Sequence, residues 1–393
     1  MRAPQSYRRH ADSFMSRTPI YLITLMCALN HSGFGGSRVA ISLYALELGV
    51  NQFTVGILMA LYALSPMLLA VAIGRFADRV GPRLPMLLGT VGVGVALVLP
   101  PIFPGVATLY VVAFLLGSTF PLFFVTVHGM TGDIGAPEDR ARNYALVSLG
   151  FSAAGFVGPF SAGLAIDHIG HLPAFMVLAA FTVAPALLLW LRPGFLPKRA
   201  PHVAAKGASA LDLWRIPRLR NTFLASGILS AAWDLFQFYL PVYGHQIGLS
   251  ASAIGAILAV FALATFIIRL GLPRLSRRYR EEGIITGAFF VAAFAFALFP
   301  FFQHAVALAA CAFVLGLGLG CGQPMSMSLI YVLSPRGRAA ESSGLRVMVN
   351  NVMHLVVPVA FGSLGTAFGY MPVFLSNTAM LVGAGELIRR GLR

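Results

Sequence analysis

The most constraining feature of this sequence is that it matches itself when it is shifted by 199 residues. Identical residues recur at this spacing without a gap in the alignment: Tyr44 and Tyr243, Gly49 and Gly248, Gly56 and Gly255, Pro101 and Pro300, Pro159 and Pro358, Gly163 and Gly362, and Phe175 and Phe374. A period of about half the chain is too long for a solenoid repeat. In an apolar sequence it predicts two copies of one membrane bundle, a symmetry typical of proteins that work by alternating access.

The composition places the chain in a membrane. Hydrophobic residues make up 58% of it and charged residues 10%, whereas soluble domains carry about 25% charged residues. A span of hydrocarbon takes roughly 20 apolar residues, and the segments that meet this length are 18–47, 54–74, 84–103, 107–131, 143–166, 172–192, 222–245, 253–272, 283–302, 305–333, 344–366 and 371–389. The three cysteines lie inside such segments without metal-ligand spacing, so we expect no metal site and no cofactor.

Each half contains six segments, an even number, so both halves have the same orientation in the membrane. We therefore predict an all-α membrane protein with twelve transmembrane helices in two parallel six-helix repeats. The expected domains are an N-terminal bundle over residues 1–192, a cytoplasmic linker over 193–221 and a C-terminal bundle over 222–393.

The basic residues lie on one side of this topology. The net charge is +15, but every Lys and Arg except Arg38 falls in the termini, the linker, or the loops after segments 2, 4, 8 and 10 with their helix ends. Because basic loops stay cytoplasmic, we expect both termini in the cytoplasm and no nucleic-acid partner. The Arg-rich, Ala-rich and Gly-rich composition indicates a bacterial gene, and hence the bacterial inner membrane.

A signature motif lies in the loop after segment 2. Residues 74–83 read Gly-Arg-Phe-Ala-Asp-Arg-Val-Gly-Pro-Arg, which resembles the Gly-x-x-x-Asp-Arg-x-Gly-x-Arg loop of the major facilitator superfamily. The glycines permit close helix approach and a tight turn, and the carboxylate can sit at a neighbouring helix N-terminus. The resemblance implies a cytoplasmic gate formed by Gly74, Asp78, Arg79, Gly81, Arg83 and Arg142.

Segment 5 carries a second motif of this family. The stretch from Gly155 to Gly163 includes Gly158 and Pro159 and resembles the family's antiporter motif Gly-Pro-x-x-Gly-Gly. Small residues let helices pack closely. Segment 4 departs from the exporter pattern, because Ala113 stands where that pattern has an arginine. The resemblance is to a bacterial member of the superfamily, closest in motifs to the drug/proton antiporter-like exporters.

The resemblance also implies that segments 1, 4, 7 and 10 line a central cavity, and the intramembrane polar residues lie on these segments. Polar side chains are unfavourable in lipid, so this placement predicts an aqueous interior. The expected substrate contacts are Arg38, His31, Asn30, Gln237, Gln323 and His128, and the expected proton-coupling residue is Asp234.

Arg38 is the strongest single candidate. It lies about 15 Å of helix away from the loop at Gly49, and arginine does not lose its proton. The repeat places Arg38 opposite Gln237, with Asp234 one turn deeper. In one interpretation Arg38 binds an anionic or hydrogen-bonding substrate group and Asp234 takes up the coupling proton. In the other, the two form an ion pair that closes the outer gate and touches no substrate.

The remaining intramembrane polar residues leave alternatives open. His31 and His128 can titrate near neutral pH, and they either take part in substrate or proton binding or hydrogen-bond a neighbouring helix. On segment 11, Asn350, Asn351 and His354 cluster at one helical turn. We interpret these three as interhelical hydrogen bonds that brace a bent helix.

These observations favour a secondary transporter of a small organic molecule, with proton-coupled export by alternating access as the expected function. Alternatives are uptake or facilitated transport of an organic anion bound through Arg38, or a non-transporting receptor on the same fold. The sequence contains neither Gly-x-Ser-x-Gly nor His-Glu-x-x-His, and we expect no enzyme. The expected partners are the substrate, protons or another coupling ion, and the lipid bilayer, and we expect a monomer.

Overall fold

The computed structural model describes residues 5–131, 134, 139–192, 194, 196, 210–335 and 338–391, and in these residues it contains twelve α-helices and no strand. The helices are α1 (Gln5–Glu47), α2 (Gln52–Val80), α3 (Arg83–Ile102), α4 (Val106–Thr131), α5 (Arg140–Ile169), α6 (His171–Leu191), α7 (Pro217–Gln246), α8 (Ala251–Arg278), α9 (Glu281–Leu298), α10 (Ala305–Leu333), α11 (Ala339–Phe368) and α12 (Tyr370–Gly391). Short 3₁₀ helices at Ala210–Arg215 and Phe299–Phe301 precede α7 and α10. Most of the predicted linker lies outside the described residues, and α7 begins at Pro217 rather than at residue 222.

Eleven of these helices, α2 to α12, are long and apolar enough to cross a membrane within the described ranges. The first helix is more polar, because its second half contains Asn30, His31, Ser32, Ser37, Arg38 and Ser42. Most of these side chains are buried inside the bundle, so the polarity of α1 faces protein rather than lipid. We count α1 as the twelfth span, and the predicted all-α membrane architecture is confirmed.

The two halves pack their helices in the same way. α1 packs against α5 and α6 as α7 packs against α11 and α12, and α3 packs against α4 and α6 as α9 packs against α10 and α12. The repeat extends to the backbone, since the repeat-related Gly49 and Gly248 have φ angles of 78° and 79°. Glycine adopts this left-handed conformation without a steric penalty, and it turns the chain after α1 and after α7. The predicted parallel repeat is therefore confirmed.

The halves meet along two helix pairs, α2 with α11 and α5 with α8, and α1 also contacts α7. Glycines make this approach possible. A Cβ atom on Gly56 of α2 would lie 2.3 Å from the carbonyl oxygen of Pro358 on α11. One on Gly163 of α5 would lie 2.2 Å from the carbonyl oxygen of Ala251 on α8. Side chains at these positions would separate the helices.

These contacts close one end of the bundle, which we call the non-basic end. It carries the loops between α1 and α2, α5 and α6, α7 and α8, and α11 and α12, and these loops contain no Lys or Arg. Asp167 near the end of α5 accepts hydrogen bonds from the backbone N–H groups of Ala251 (3.0 Å) and Ser252 (2.8 Å) at the start of α8. The carboxylate of one half thus caps a helix of the other.

The opposite end carries the basic loops, and we call it the basic end. In the part of the chain that the structure describes, neither α4 with α11 nor α5 with α10 packs extensively. The contacts between the halves therefore lie at the centre and at the non-basic end. The structure is a conformation that is closed at the non-basic end.

Candidate functional site

Two opposite charges meet at the centre of the bundle. The Nη1 atom of Arg38 on α1 lies 3.7 Å from Oδ1 of Asp234 on α7, and the two side chains are 20% and 5% exposed. The repeat relation between α1 and α7 brings these residues together from opposite halves. The predicted proximity of Arg38 and Asp234 is confirmed, while the roles assigned to them stay predictions.

A histidine completes this group. His354 on α11 contacts the other carboxylate oxygen of Asp234 through Nδ1, so the carboxylate lies between a guanidinium and an imidazole. We call Arg38, Asp234 and His354 the charge cluster. The predicted interhelical hydrogen bond of His354 is present, and its partner is the buried carboxylate of Asp234.

The charge cluster lines a cavity of about 310 Å³ between α1, α2, α4, α7 and α11. The rest of the wall is mainly apolar and aromatic, and it includes Phe34, Tyr62, Pro66, Phe120, Phe124 and Asn351. An apolar cavity with a few convergent polar groups is the usual form of a small-molecule site. We call it the first cavity.

A second cavity of about 260 Å³ adjoins the first at Phe34 and Arg38 and is bounded by α1, α5, α7 and α8. Its wall includes Gln237 and a second arginine, Arg269 on α8, and none of its lining residues is Asp or Glu. The lining of the second cavity is therefore positively charged.

Arg269 has neutral partners. Its Nε donates a hydrogen bond to the carbonyl oxygen of Gly320 (3.2 Å), and its guanidinium carbon lies 6.0 Å from the centre of the Trp233 ring. No carboxylate among the described residues forms an ion pair with Arg269. An arginine keeps its charge, so this guanidinium is available to an anion in the second cavity.

Arg269 was not among the predicted site residues. Predicted segment 8 ended at residue 272 and placed Arg269 at a helix end, but α8 continues to Arg278, about 13 Å farther along the helix. The expectation that only Arg38 lies away from the helix ends is therefore wrong. Leu275 lies three residues after Leu272 and continues its helical spacing beyond the predicted end, so the sequence already indicated that the helix continues.

Another overlooked arginine, Arg346 on α11, is 8% exposed. Its Nη1 donates to Oε1 of Gln323 (3.2 Å) and to Oγ of Ser226 (3.3 Å), and Nε2 of Gln323 donates to Oγ of Ser230 (3.3 Å). Gln323, a predicted substrate contact, thus belongs to a polar network between α7, α10 and α11 and lines neither of the two cavities.

The other predicted substrate contacts divide into two groups. Gln237 and His31 line the second cavity, and the His31 ring packs among aromatic rings. Asn30 is fully buried, and Nδ1 of His128 lies 3.0 Å from the carbonyl oxygen of Phe124. Neither Asn30 nor His128 lines the two cavities.

The predicted gate motif is partly described. Gly74 lies within α2, but the side chain of Asp78 lies outside the described residues, so its expected position at a neighbouring helix N-terminus stays a prediction. Gly81 has a φ of 82°, which agrees with the tight turn predicted there, and Arg79 is exposed.

The other gate residues make contacts within their own half. Arg83 donates to the carbonyl oxygens of Leu189 (2.9 Å) and Trp190 (2.8 Å) at the end of α6. Arg142 forms an ion pair of 3.2 Å with Asp139. Both arginines contact helix ends of their own half, and among the described residues neither contacts the other half.

The predicted antiporter-like motif packs α5 between α1 and α8. A Cβ atom on Gly158 would lie 2.5 Å from the carbonyl oxygen of Ser32 on α1. On the other face, Gly155 and Gly163 approach Ala262 and Ala251 of α8. The close helix packing expected from the motif is confirmed.

Comparison with known proteins agrees with this architecture. The family model for the Major Facilitator Superfamily matches residues 23–358. "Probable anion transporter 6" of Oryza sativa subsp. japonica is 26% identical over 58% of this chain, and the match spans only 53% of that relative. Multidrug resistance protein MdtG of Salmonella paratyphi A is 22% identical over 91% of each chain. The crystal structure of nucleoside transporter NupG superposes with a TM-score of 0.78 at 13% identity, covering 96% of this chain and 99% of that one.

Proposed function

Since the chain belongs to the major facilitator superfamily, we propose that it is a secondary transporter that carries a small organic anion together with a proton by alternating access. The observation that carries this proposal is the charge cluster, in which the buried carboxylate of Asp234 contacts both Arg38 and His354. All three residues line the first cavity, and Arg38 also lines the second.

The coupling follows from the two possible partners of Arg38. Its guanidinium can bind either the Asp234 carboxylate or an anionic group of a substrate in the adjoining cavity. When a substrate anion takes Arg38, Asp234 remains buried with one partner fewer, and removing one partner of a buried ion pair is strongly destabilising. A proton on Asp234 removes this uncompensated charge. Binding of the anion thus favours binding of the proton, and binding of the proton favours binding of the anion. Symport requires this mutual dependence.

His354 provides a path for that proton. It lines the first cavity and contacts Asp234, and histidine is the side chain that exchanges protons most readily near neutral pH. Arg38 stays charged throughout. We therefore assign proton exchange to Asp234 and His354 and anion recognition to Arg38.

Proton-coupled export, the function expected from the sequence motifs, is the second candidate. It is supported by the antiporter-like motif on α5 and by the name of the relative MdtG, a multidrug resistance protein. In antiport, substrate and proton compete for one site, so the substrate would have to displace the proton from Asp234. The two candidates therefore differ in the direction of proton movement relative to the substrate.

We also propose the orientation and the moving units. The positive-inside rule puts the basic end and both termini in the cytoplasm of a bacterial cell, which makes the structure an inward-open conformation. The bundles over 1–192 and 222–393 would rock against each other around the charge cluster, with 193–221 as the linker, in a monomer in the inner membrane.

The test is transport in proteoliposomes, after a thermal-shift screen of organic carboxylates, sulfonates and phosphates has identified a ligand. Asp234→Asn should abolish accumulation driven by a pH gradient but keep exchange of labelled for unlabelled ligand, while Arg38→Ala should lose ligand binding. Glu386→Gln, at a partly exposed carboxylate on α12, is the matched control. Proton efflux during anion entry would support antiport instead, and full pH-driven accumulation by Asp234→Asn would contradict the assignment of Asp234.

A further inference from the structure

An apolar groove of about 370 Å³ lies between α5 and α8, beside the second cavity. Its walls are formed by Leu149, Ala153, Phe156, Val157, Leu263 and Phe266. Several of these side chains face outward from the bundle; Phe156, for example, is 41% exposed. We call this feature the lateral groove.

The lateral groove adjoins the second cavity. The two share Ser152 on α5 and Ala262 on α8 as lining residues. Gly155 lies at this junction, and a Cβ atom there would already be in contact with Ala262 at 3.6 Å. The side chains that separate the two spaces are thus small, so a molecule that extends from the second cavity into the groove has to displace no large side chain at this junction.

The charged and apolar regions are adjacent along α8. Phe266 lines the groove and Arg269, one helical turn farther on, lines the second cavity. The distance along the helix from Leu263 to Arg269 is about 9 Å. Arg38 faces the same cavity from α1. The site thus presents two guanidinium groups at one end and the apolar lateral groove at the other.

We propose that this site binds an amphiphilic organic anion, with its anionic head on Arg269 and Arg38 and its apolar chain in the lateral groove. The inference rests on the proposed function and deepens it by naming the substrate class. A neutral lipid would leave the charge of Arg269 without a counter-ion, and a small hydrophilic anion would occupy the second cavity without using the groove. An amphiphilic anion matches both features.

The probe for the test is a series of 1-alkanesulfonates from butane- to decanesulfonate, whose head groups are always charged. Trp233 lines the second cavity, and the chain contains three tryptophans, so the Trp190→Phe/Trp214→Phe variant reports on Trp233 alone. In nanodiscs of neutral lipid, the affinity should rise about fourfold for each added methylene until the chain fills the groove. Alkanols of equal length control for partition into the bilayer.

Two pairs of variants separate the head from the chain. Arg269→Gln should weaken binding of every sulfonate by about tenfold, whereas Arg274→Gln, at an exposed arginine on the same helix, should have no effect. Ala153→Phe should fill the groove, keep butanesulfonate binding and remove the dependence on chain length. Ile267→Phe, which adds the same ring on an exposed face of α8, should leave that dependence unchanged.

The outcomes are distinguishable. Equal affinities for butane- and decanesulfonate in the parent protein would overturn the assignment of the groove, and Arg269-dependent binding of the short anion would still agree with the proposed function. Alkanol affinities equal to those of the sulfonates would overturn the assignment of the head-group site. A chain-length series as expected, together with normal pH-driven transport in Asp234→Asn, would support the amphiphile site and contradict the coupling mechanism.

Discussion

At the scale of single residues, every charge of the candidate site occupies a position at which the repeat counterpart is uncharged. The counterparts of Arg38, Asp234, His354 and Arg269 are Gln237, Gly35, Gly155 and Ala70. The two halves therefore share the residues that form helices, turns and close contacts, and they differ in the residues that bind charged groups. The two halves therefore line the cavities with chemically different side chains at equivalent positions.

We predict that the charge cluster affects the stability of the protein. Arg38→Met leaves the Asp234 carboxylate buried with His354 alone, and it should lower the free energy of unfolding by up to about 3 kcal/mol. The double variant Arg38→Met/Asp234→Leu should be closer to the parent protein, because it leaves no buried charge unpaired. Thermal unfolding in detergent measures both, with Arg274→Met as a surface control. A double variant less stable than the single one would show that the contact of Asp234 with His354 stabilises the protein more than the unpaired carboxylate destabilises it.

At the scale of helices, closure of the non-basic end depends on a carboxylate of α5 that caps the N-terminus of α8. Asp167 of α5 accepts two backbone hydrogen bonds from the N-terminus of α8, where a negative charge is favourable by about 0.3–1 kcal/mol. Asp167→Asn should therefore raise the population open at the non-basic end by up to about fivefold. Spin labels at Leu48→Cys and Gln246→Cys would report the distance across this end, since the three native cysteines are buried.

The control for Asp167→Asn is Glu386→Gln, because Glu386 lies at the other end of the bundle and binds two arginines of its own helix. It should leave the label distances at the non-basic end unchanged. Identical distance distributions for Asp167→Asn and the parent protein would mean that the helix packing alone keeps this end closed.

Close packing of α5 on α8 gives a second prediction at this scale. Gly163→Ala places a Cβ atom 2.2 Å from the carbonyl oxygen of Ala251, so the two helices must separate. The same pair of labels should show a longer distance, and transport should slow. Gly287→Ala is the matched control, because a Cβ atom at that position of α9 meets nothing within 4 Å. Unchanged distances in Gly163→Ala would contradict the role of this contact in closure.

Helix existence was predictable from the sequence, and helix boundaries were less so. Long apolar runs identified twelve spans because a helix in lipid must be apolar over roughly 20 residues. The ends were harder, because basic residues are tolerated both at a membrane surface and in a protein-lined cavity. Arg269 was misplaced for this reason, since the helix around it continues to Arg278.

At the scale of the whole molecule, the structure is a conformation closed at the non-basic end. We therefore expect the predicted gate contact of Asp78 in a conformation in which the basic end is closed instead. Asp78→Asn should shift the population toward conformations open at the basic end and slow transport while leaving membrane insertion intact. Labels at Leu191→Cys and Val332→Cys, both exposed, would measure this shift across the basic end.

Asp212→Asn is the matched control for Asp78→Asn, since Asp212 is an exposed carboxylate just before α7. It should change neither the label distances nor the transport rate. If Asp78→Asn behaves like Asp212→Asn, the signature loop does not hold the closed basic end, and the gate would lie elsewhere in the chain.

The sequence by itself determined the membrane class, the helix number, the parallel repeat and the central place of Arg38 and Asp234. These properties depend on hydrophobicity along the chain and on a repeat that maps one helix onto another. Only the tertiary structure decided that His354 contacts Asp234, that Arg269 shares a cavity with Arg38, and that Gln323 bonds elsewhere. Such contacts join helices that are far apart in the sequence. They depend on how the two halves pack in one conformation, and a local sequence pattern does not predict that packing.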